Sequence, residues 1–377
     1  MTPILVNHSD AEICQLLCQE LTAAGYVVSL TEEKPAAVDF DKILQPTLLI
    51  SEWNPQDSSW NSSEWQARKA NPAGPFIFHV GLTPPGVSAQ YTTALNCGVD
   101  DVLTTPINLE ELQARVWAGI RVLKLRQELW EQRQLLETEL SEAEAYVRSL
   151  LPDDLTEKIP ITARFIPSRL LGGDCYDYYW LDPDYLAIYL LDVSGHGLGS
   201  ALLSTSVLNV LRSQSLPNVN FYRPEKVLDA LNETFQMNDQ NEKYFTIWYG
   251  VYNRANRQLL YASAGHPPAV LVTTHVNQTQ TIEPLKTSGL PVGMLPDTKY
   301  RWQRCHIPAS SRLYLFSDGV YEIQQSDSSI MGLDDFIDIL AQHTADKDID
   351  EILHQVSART QSRTFSDDLS LLEVSLE

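Results

Sequence analysis

The stretch from Leu171 to Gly197 (LGGDCYDYYWLDPDYLAIYLLDVSGHG) constrains this chain more than any other. Tyr185 to Leu191 is a short aromatic and β-branched apolar run, preceded by Asp182-Pro183-Asp184 and, before that, by a second strand-like segment. The pattern reads as strand, turn, buried strand. Such a hairpin brings together the residues at its two open ends, here Asp174 and Asp192, each beside glycine or other small turn residues. Two carboxylates placed this way begin a metal site, and the rest of the chain has to complete it.

At 377 residues the chain has length for two domains and a connector, each with its own core. Its formal net charge of −22 argues against nucleic acid as a partner, because phosphate backbones are gripped by basic patches. Five cysteines, with no C-x-x-C pair, give no disulfide or zinc framework; Cys14 and Cys18, one helical turn apart, read as buried thiols. The absence of a signal pattern and of an apolar run of spanning length sets the expectation of a cytoplasmic protein without a membrane segment.

Residues 1–118 alternate short apolar runs (Ile4–Val6, Leu48–Ile50, Phe76–Phe78, Val102–Leu103) with amphipathic segments, notably Ala11–Ala24 and Leu109–Leu125. This βαβ rhythm predicts an α/β domain with a parallel sheet and helices on both faces. Its closing segment, Gly98 to Val116, resembles the last strand and helix of a response-regulator receiver domain. Carried over by position, the resemblance places His8 and Ser9 where a receiver has its acidic pair. Glu52 falls where the phosphoacceptor aspartate would stand, and Thr105, before Pro106, replaces the lysine. The expectation is a pseudo-receiver that binds an upstream signalling protein and takes no phosphate.

From 119 to 151 the composition shifts to Leu, Glu, Gln, Arg and Ala. Val122, Leu129, Leu136, Ala143 and Leu150 recur every seven residues; Leu125 lies three after one of them, whereas Leu140 and Val147 lie four after. The pattern predicts a helical coiled-coil linker with a register break near Gln132–Leu136, and a homodimer formed through it. Pro152 ends the helix.

In 152–377, strands are expected at Leu186–Leu191, Thr246–Tyr252, Gln258–Ala262, Ala269–Val272, Arg312–Phe316 and Leu369–Val374. Helices are expected at Gly199–Ser213, Pro224–Asn238, Leu333–Gln342 and Ile349–Arg359. Because polar turns join most strands, the fold class is α+β: antiparallel sheets layered between helices.

Four aspartates stand at strand ends in this half: Asp174 after Gly172-Gly173, Asp192 in LDVSGHG, Asp318 in FSDG and Asp367 in SDDL. All-oxygen ligation suits hard divalent ions, Mg2+ or Mn2+, over zinc or copper. Two such ions roughly 3.5–4 Å apart can share a water and lower its pKa. Each motif alone is weak, since an Asp-Gly pair is usually only a turn. Their order is specific together with Tyr261–Pro268 (YASAGHPP), Gly289–Gly293 (GLPVG) and Ser317–Glu322 (SDGVYE).

With these motifs in view, 152–377 resembles the metal-dependent protein serine/threonine phosphatases of the protein phosphatase 2C-like (PPM) family, in its bacterial SpoIIE-like branch. The resemblance implies two Mn2+ or Mg2+ ions bridged by Asp192. Val193 would bind one ion through its carbonyl, Asp318 and Asp367 would hold one ion, and Asp174 would support the second. It also implies hydrolysis of phosphoserine or phosphothreonine on a small regulator such as an anti-sigma-factor antagonist. Asp192, Asp174 and His196 are then the catalytic candidates. His196 either protonates the leaving serine oxygen or caps a glycine-rich turn, and His266 reads as a structural hydrogen-bonding residue. No motif marks the phosphate-gripping residue, although Arg164 and Arg169 lie nearby in sequence. The alternative from another class is a non-catalytic scaffold that binds partners through both domains.

Overall fold

A computed structural model describes residues 2–31, 45–54, 76–85, 88–168, 171–240, 242–277, 279–325, 329–343, 349–360, 365 and 367–376. The chain divides into two units, Met1–Thr138 and Glu139–Glu377.

In the first unit, β1 (Pro3–Asn7), β2 (Val27–Leu30), β3 (Thr47–Glu52), β4 (Ile77–Thr83) and β5 (Asp101–Thr104) form one parallel sheet in the order β2-β1-β3-β4-β5. That is a doubly wound, flavodoxin-like order. Leu17 and Leu21 of α1 (Ala11–Ala23) join Leu112, Val116 and Leu123 of α3 (Leu109–Leu150) against Ile4, Val6, Leu48 and Ile50 on one face. Ala94 of α2 (Ser88–Asn96) packs with Leu49, Trp53 and Val102 on the other. Helices therefore cover both faces, as the alternation of apolar runs and amphipathic segments requires. β2 is an edge strand whose residues are largely exposed; its Val-Val-Ser-Leu run was not among the expected apolar runs. The thiols of Cys14 and Cys18 are free but half-buried, so they are less enclosed than the helical pattern suggested.

The expected linker is part of the single helix α3. Within it Val122, Leu125, Leu129 and Leu136 of the heptad pattern are exposed, whereas Leu123 is fully buried. Among the described residues no helix is long and apolar enough to cross a membrane.

The second unit is built from two five-stranded sheets. One has the order β13-β10-β9-β8-β7, from β7 (Cys175–Trp180), β8 (Tyr185–Val193), β9 (Phe245–Asn253), β10 (Gln258–Ala264) and β13 (Gln303–His306). The other has the order β12-β11-β14-β15-β6, from β6 (Ile161–Ile166), β11 (Ala269–Thr274), β12 (Gln280–Leu285), β14 (Ser311–Phe316) and β15 (Leu369–Leu376). The ladders are antiparallel.

Period-two alternation explains the layering. From β8, Leu186, Ile188 and Leu190 enter the core between the sheets, while Ala187, Tyr189, Leu191 and Val193 face α4 (Leu198–Arg212) and α5 (Pro224–Thr234). In β14, Leu313 and Leu315 point into the intersheet core; Tyr314 and Phe316 meet α6 (Leu333–Gln342) and α7 (Ile349–Ser357). A strand buried on both faces shows no polar alternation, which is why Tyr185–Val193 reads as a continuous apolar run. The sandwich is helix, sheet, sheet, helix, as expected. β6, β12 and β13 were not anticipated; β12 and β13 are exposed edge strands without an apolar run.

One ion pair ties the end of α3 to this sandwich. The Arg212 guanidinium donates to the buried Asp177 carboxylate at 2.7 Å and to the Leu150 carbonyl at 2.9 Å. Replacing Arg212 with leucine should destabilise the second unit by about 2–3 kcal/mol, because a buried carboxylate loses its charged donor. Urea denaturation of the full chain measures this; a change within about 0.5 kcal/mol would be that of an ordinary surface substitution and would refute the assignment.

Candidate functional site

The four aspartates come together through strand register. Cys175 pairs with Leu191 in the β7–β8 ladder, so Asp174, just before β7, stands beside Asp192, near the end of β8. In the other sheet Phe316 pairs with Leu371, and Asp318 just after β14 lies at the same end as Asp367 just before β15. Each sheet thus contributes two carboxylates at one end of a pair of adjacent antiparallel strands.

Close backbone approach makes this possible. A Cβ on Gly173 would lie 2.7 Å from the Val193 carbonyl oxygen, and one on Gly319 would lie 2.1 Å from the Asp368 carbonyl oxygen. Glycine is the residue that fits at either place.

Asp192 is the electrostatic centre. Burial, then the charges of Asp318, Asp367 and Asp368, push its carboxyl up to about 8, and it accepts a hydrogen bond from Asp174. Asp174 is raised well above the carboxylate range, first by burial and then by Asp192, against the opposing hydrogen bonds from Ser317 and Ser370. Its Oδ2 accepts from Ser370 Oγ at 2.7 Å. Asp318 is raised to about 6 by burial, Asp367 and Glu322. Burial and the charges of Asp318, Glu322 and Asp192 also raise the Tyr321 phenol. Among the described residues, no three His, Cys, Asp or Glu side chains are placed to hold an ion by themselves.

Asp368 is a residue the sequence reading passed over. It is 3% exposed and accepts from Gly173 N at 2.5 Å, Ser168 N at 2.8 Å and Ser168 Oγ at 3.0 Å. Ser317 Oγ donates to its carbonyl at 3.1 Å and accepts from Ser370 N at 3.0 Å. These bonds fasten the Gly172-Gly173-Asp174 turn of one sheet to the edge of the other. The adjacent acids in SDDL are the available signal: the first is exposed and the second buried.

The remaining candidates separate. His196 is exposed in the turn between β8 and α4, while Val193 beside it is buried. His266 is buried, its Nδ1 is 3.0 Å from the Pro267 carbonyl oxygen, and burial lowers its pKa to about 4, consistent with a structural role. Arg164 is engaged with Asp350 at 2.7 and 2.9 Å and with Asp154 at 3.5 Å. Arg169 lies outside the described residues. In the first unit, Ser9 Oγ donates to Glu52 Oε2 at 2.5 Å, and His8 Nδ1 accepts from Asp10 N at 2.9 Å. The Thr105 N–H donates to the Thr83 carbonyl at 2.8 Å. Ser9 and Glu52 therefore meet at one edge of the parallel sheet.

A family model described as Stage II sporulation protein E (SpoIIE) matches residues 182–377. Phosphoserine phosphatase RsbP of Bacillus subtilis is 28% identical over 215 residues, covering 57% of this chain and 52% of its own. Phosphoserine phosphatase RsbU of the same organism is 31% identical over 166 residues, covering 44% and 48%. The chain thus spans about half the length of these curated relatives. Among solved structures, the SiaA-PP2C domain of Pseudomonas aeruginosa superposes with a TM-score of 0.56 at 19% identity, over 65% of this chain and 99% of that one. At that identity the likeness speaks for the fold.

Proposed function

The chain belongs to the SpoIIE family, and from that premise we propose that it is a metal-dependent protein serine/threonine phosphatase. The observation that carries the reading is the meeting of Asp174, Asp192, Asp318 and Asp367 at one end of the sandwich, with Asp192 in the middle. Carboxyls that raise one another's pKa form an anionic, all-oxygen set, which fits hard divalent cations. Since no three side chains among the described residues hold an ion unaided, each Mg2+ or Mn2+ would keep several waters, with the Val193 carbonyl as a further donor. When bound, two such ions supply a water of lowered pKa and stabilise charge on the phosphoryl oxygens.

The chain's own residues do the rest. Asp192 and Asp318 remain ready to lose their protons near neutral pH, and Asp368 with Ser370 holds Asp174 in place. We propose His196, exposed in the turn that follows Asp192, as the acid that delivers a proton to a leaving serine oxygen. The substrate we propose is phosphoserine or phosphothreonine on a regulatory protein, in keeping with the relatives named phosphoserine phosphatases. The test is Mn2+-dependent phosphate release from a phosphoserine peptide by the full chain. No metal-stimulated turnover would overturn the reading in favour of a scaffold.

The first unit we propose to be a pseudo-receiver that receives an upstream protein, with Glu52 engaged by Ser9. The exposed Val122, Leu125, Leu129 and Leu136 support a homodimer through α3. Replacing the exposed Leu125, Leu129 and Leu136 together with glutamate should leave a monomer by light scattering; a dimer that survives the change would refute this.

A further inference from the structure

Phosphoserine arrives as a dianion, and the site that would receive it is crowded with carboxylates. The proposed divalent ions offset part of that charge; a side-chain cation beside them would grip the phosphate as well, and Arg164 is occupied by Asp350 and Asp154. Lys243, two residues before β9, meets the requirement. Its Nζ donates to the Ser194 carbonyl at 3.2 Å and to Ser200 Oγ at 3.0 Å. Both acceptors are neutral, and among the described residues no carboxylate forms an ion pair with it. An ammonium with neutral partners keeps its charge for an arriving anion.

The location is equally specific. Ser194 directly follows Val193, and its turn is stitched to the Lys243 segment by Ser194 N to Tyr244 O at 2.9 Å and Tyr244 N to Ser194 Oγ at 3.1 Å. The same Gly173 Cβ that would crowd the Val193 carbonyl would also lie 3.3 Å from the Gly195 carbonyl oxygen and from Ser200 Cβ. A Cβ on Gly195 would lie 3.5 Å from the Lys243 Nζ. The ammonium is thus one turn from Asp174 and from the carbonyl proposed as a metal ligand. Glycines flank the side chain: a Cβ on Gly199 would lie 3.1 Å from the Lys243 Cε.

We propose that Lys243 is the phosphate-gripping cation of this chain, contacting the substrate phosphoryl oxygens beside the aspartate cluster. The proposal rests on the phosphatase reading above. A Lys–phosphate contact is a charge-assisted bond, worth about tenfold or more in affinity. The test compares wild type with Lys243→Gln, which keeps an N–H donor for Ser194 and Ser200 but no charge, and Lys243→Arg, which keeps the charge. Inorganic phosphate binding is followed by calorimetry of the full chain with Mg2+, and KM and kcat by phosphoserine-peptide hydrolysis.

The expected result is phosphate binding about tenfold weaker and KM about tenfold higher in the glutamine variant, with much of both restored in the arginine variant. A folded glutamine variant that binds phosphate as wild type does, or loses only thermal stability and kcat, overturns the proposal and makes Lys243 a clamp on the Ser194 turn. Independently of any variant, inorganic phosphate should protect Lys243 in the wild type from an amine-modifying reagent, as read by mass spectrometry; no protection counts against it. A wild type without turnover defeats the phosphatase reading itself, whereas turnover with unchanged phosphate affinity in the glutamine variant defeats only Lys243.

Discussion

Replacing Asp192 with asparagine should raise the thermal stability of the metal-free protein at pH 8 while lowering Mn2+-dependent phosphatase turnover by about a thousandfold. The two effects have one cause. In the native, metal-free chain the Asp192 carboxyl is raised from the ordinary 3.8 to about 8 by burial and by Asp318, Asp367 and Asp368. Between those values the folded state holds a proton that the unfolded chain has released, so stability falls as pH rises through that window. Asparagine carries no ionisable proton and removes the repulsion. The melting temperature at pH 8 should rise on the order of a few degrees, and its decline from pH 4 to pH 8 should flatten.

The same substitution removes the carboxylate at the centre of the proposed metal pair. Electrostatic stabilisation by such ions is worth several kcal/mol, which is about a thousandfold in rate. Mn2+ at about a hundred times its Kd should stabilise the wild type by about 2.7 kcal/mol and the variant far less. Scanning calorimetry over pH, with and without Mn2+, measures both halves. A variant that melts like wild type throughout the window would contradict the carboxyl crowding; one that keeps wild-type turnover would contradict the metal role.

Asp368→Ala is expected to be the most destabilising single substitution at the site. It removes the acceptor for Gly173 N, Ser168 N and Ser168 Oγ, leaving donors that close toward a buried carboxylate without a partner. Losing a buried charged acceptor of this kind costs about 3–5 kcal/mol. In a unit of this size that lowers the melting temperature by about 10 °C. Freeing the Gly173 turn also lets Asp174 drift, so activity should fall even below the new transition. Asp368→Asn should be intermediate, since its amide group opposes one of those donors. Thermal melts and turnover at a temperature where both variants are folded decide it. Loss of activity without loss of stability would make Asp368 a participant in the chemistry and not the anchor of the turn.

Much of the fold was legible because its signals are local. Tyr185–Val193 announces a strand buried on both faces, and the Leu333–Gln342 helix is bounded as its pattern predicts. What escaped was also physical in origin. Gln280–Leu285 and Gln303–His306 are edge strands, where one ladder of hydrogen bonds substitutes for an apolar stripe. The α5 helix stops at Thr234, short of the expected Asn238, and a tight turn at Met237–Asp239 follows.

The sequence by itself determined which residue types could do chemistry: four aspartates, each beside a turn at the end of an apolar strand, in an order that singles out one family. It also set the expectation of a first unit that takes no phosphate, with His8, Ser9 and Glu52 at the positions that a receiver resemblance gives to acidic residues. Only the tertiary structure decided that Asp368 fastens the Gly173 turn to the other sheet and that Lys243 lies against Ser194 and Ser200. The reason is distance along the chain: Gly173 meets Asp368 across 195 residues and Lys243 meets Ser194 across 49. Such contacts follow from sheet register and from the closing of two sheets on one another, and no local pattern encodes either.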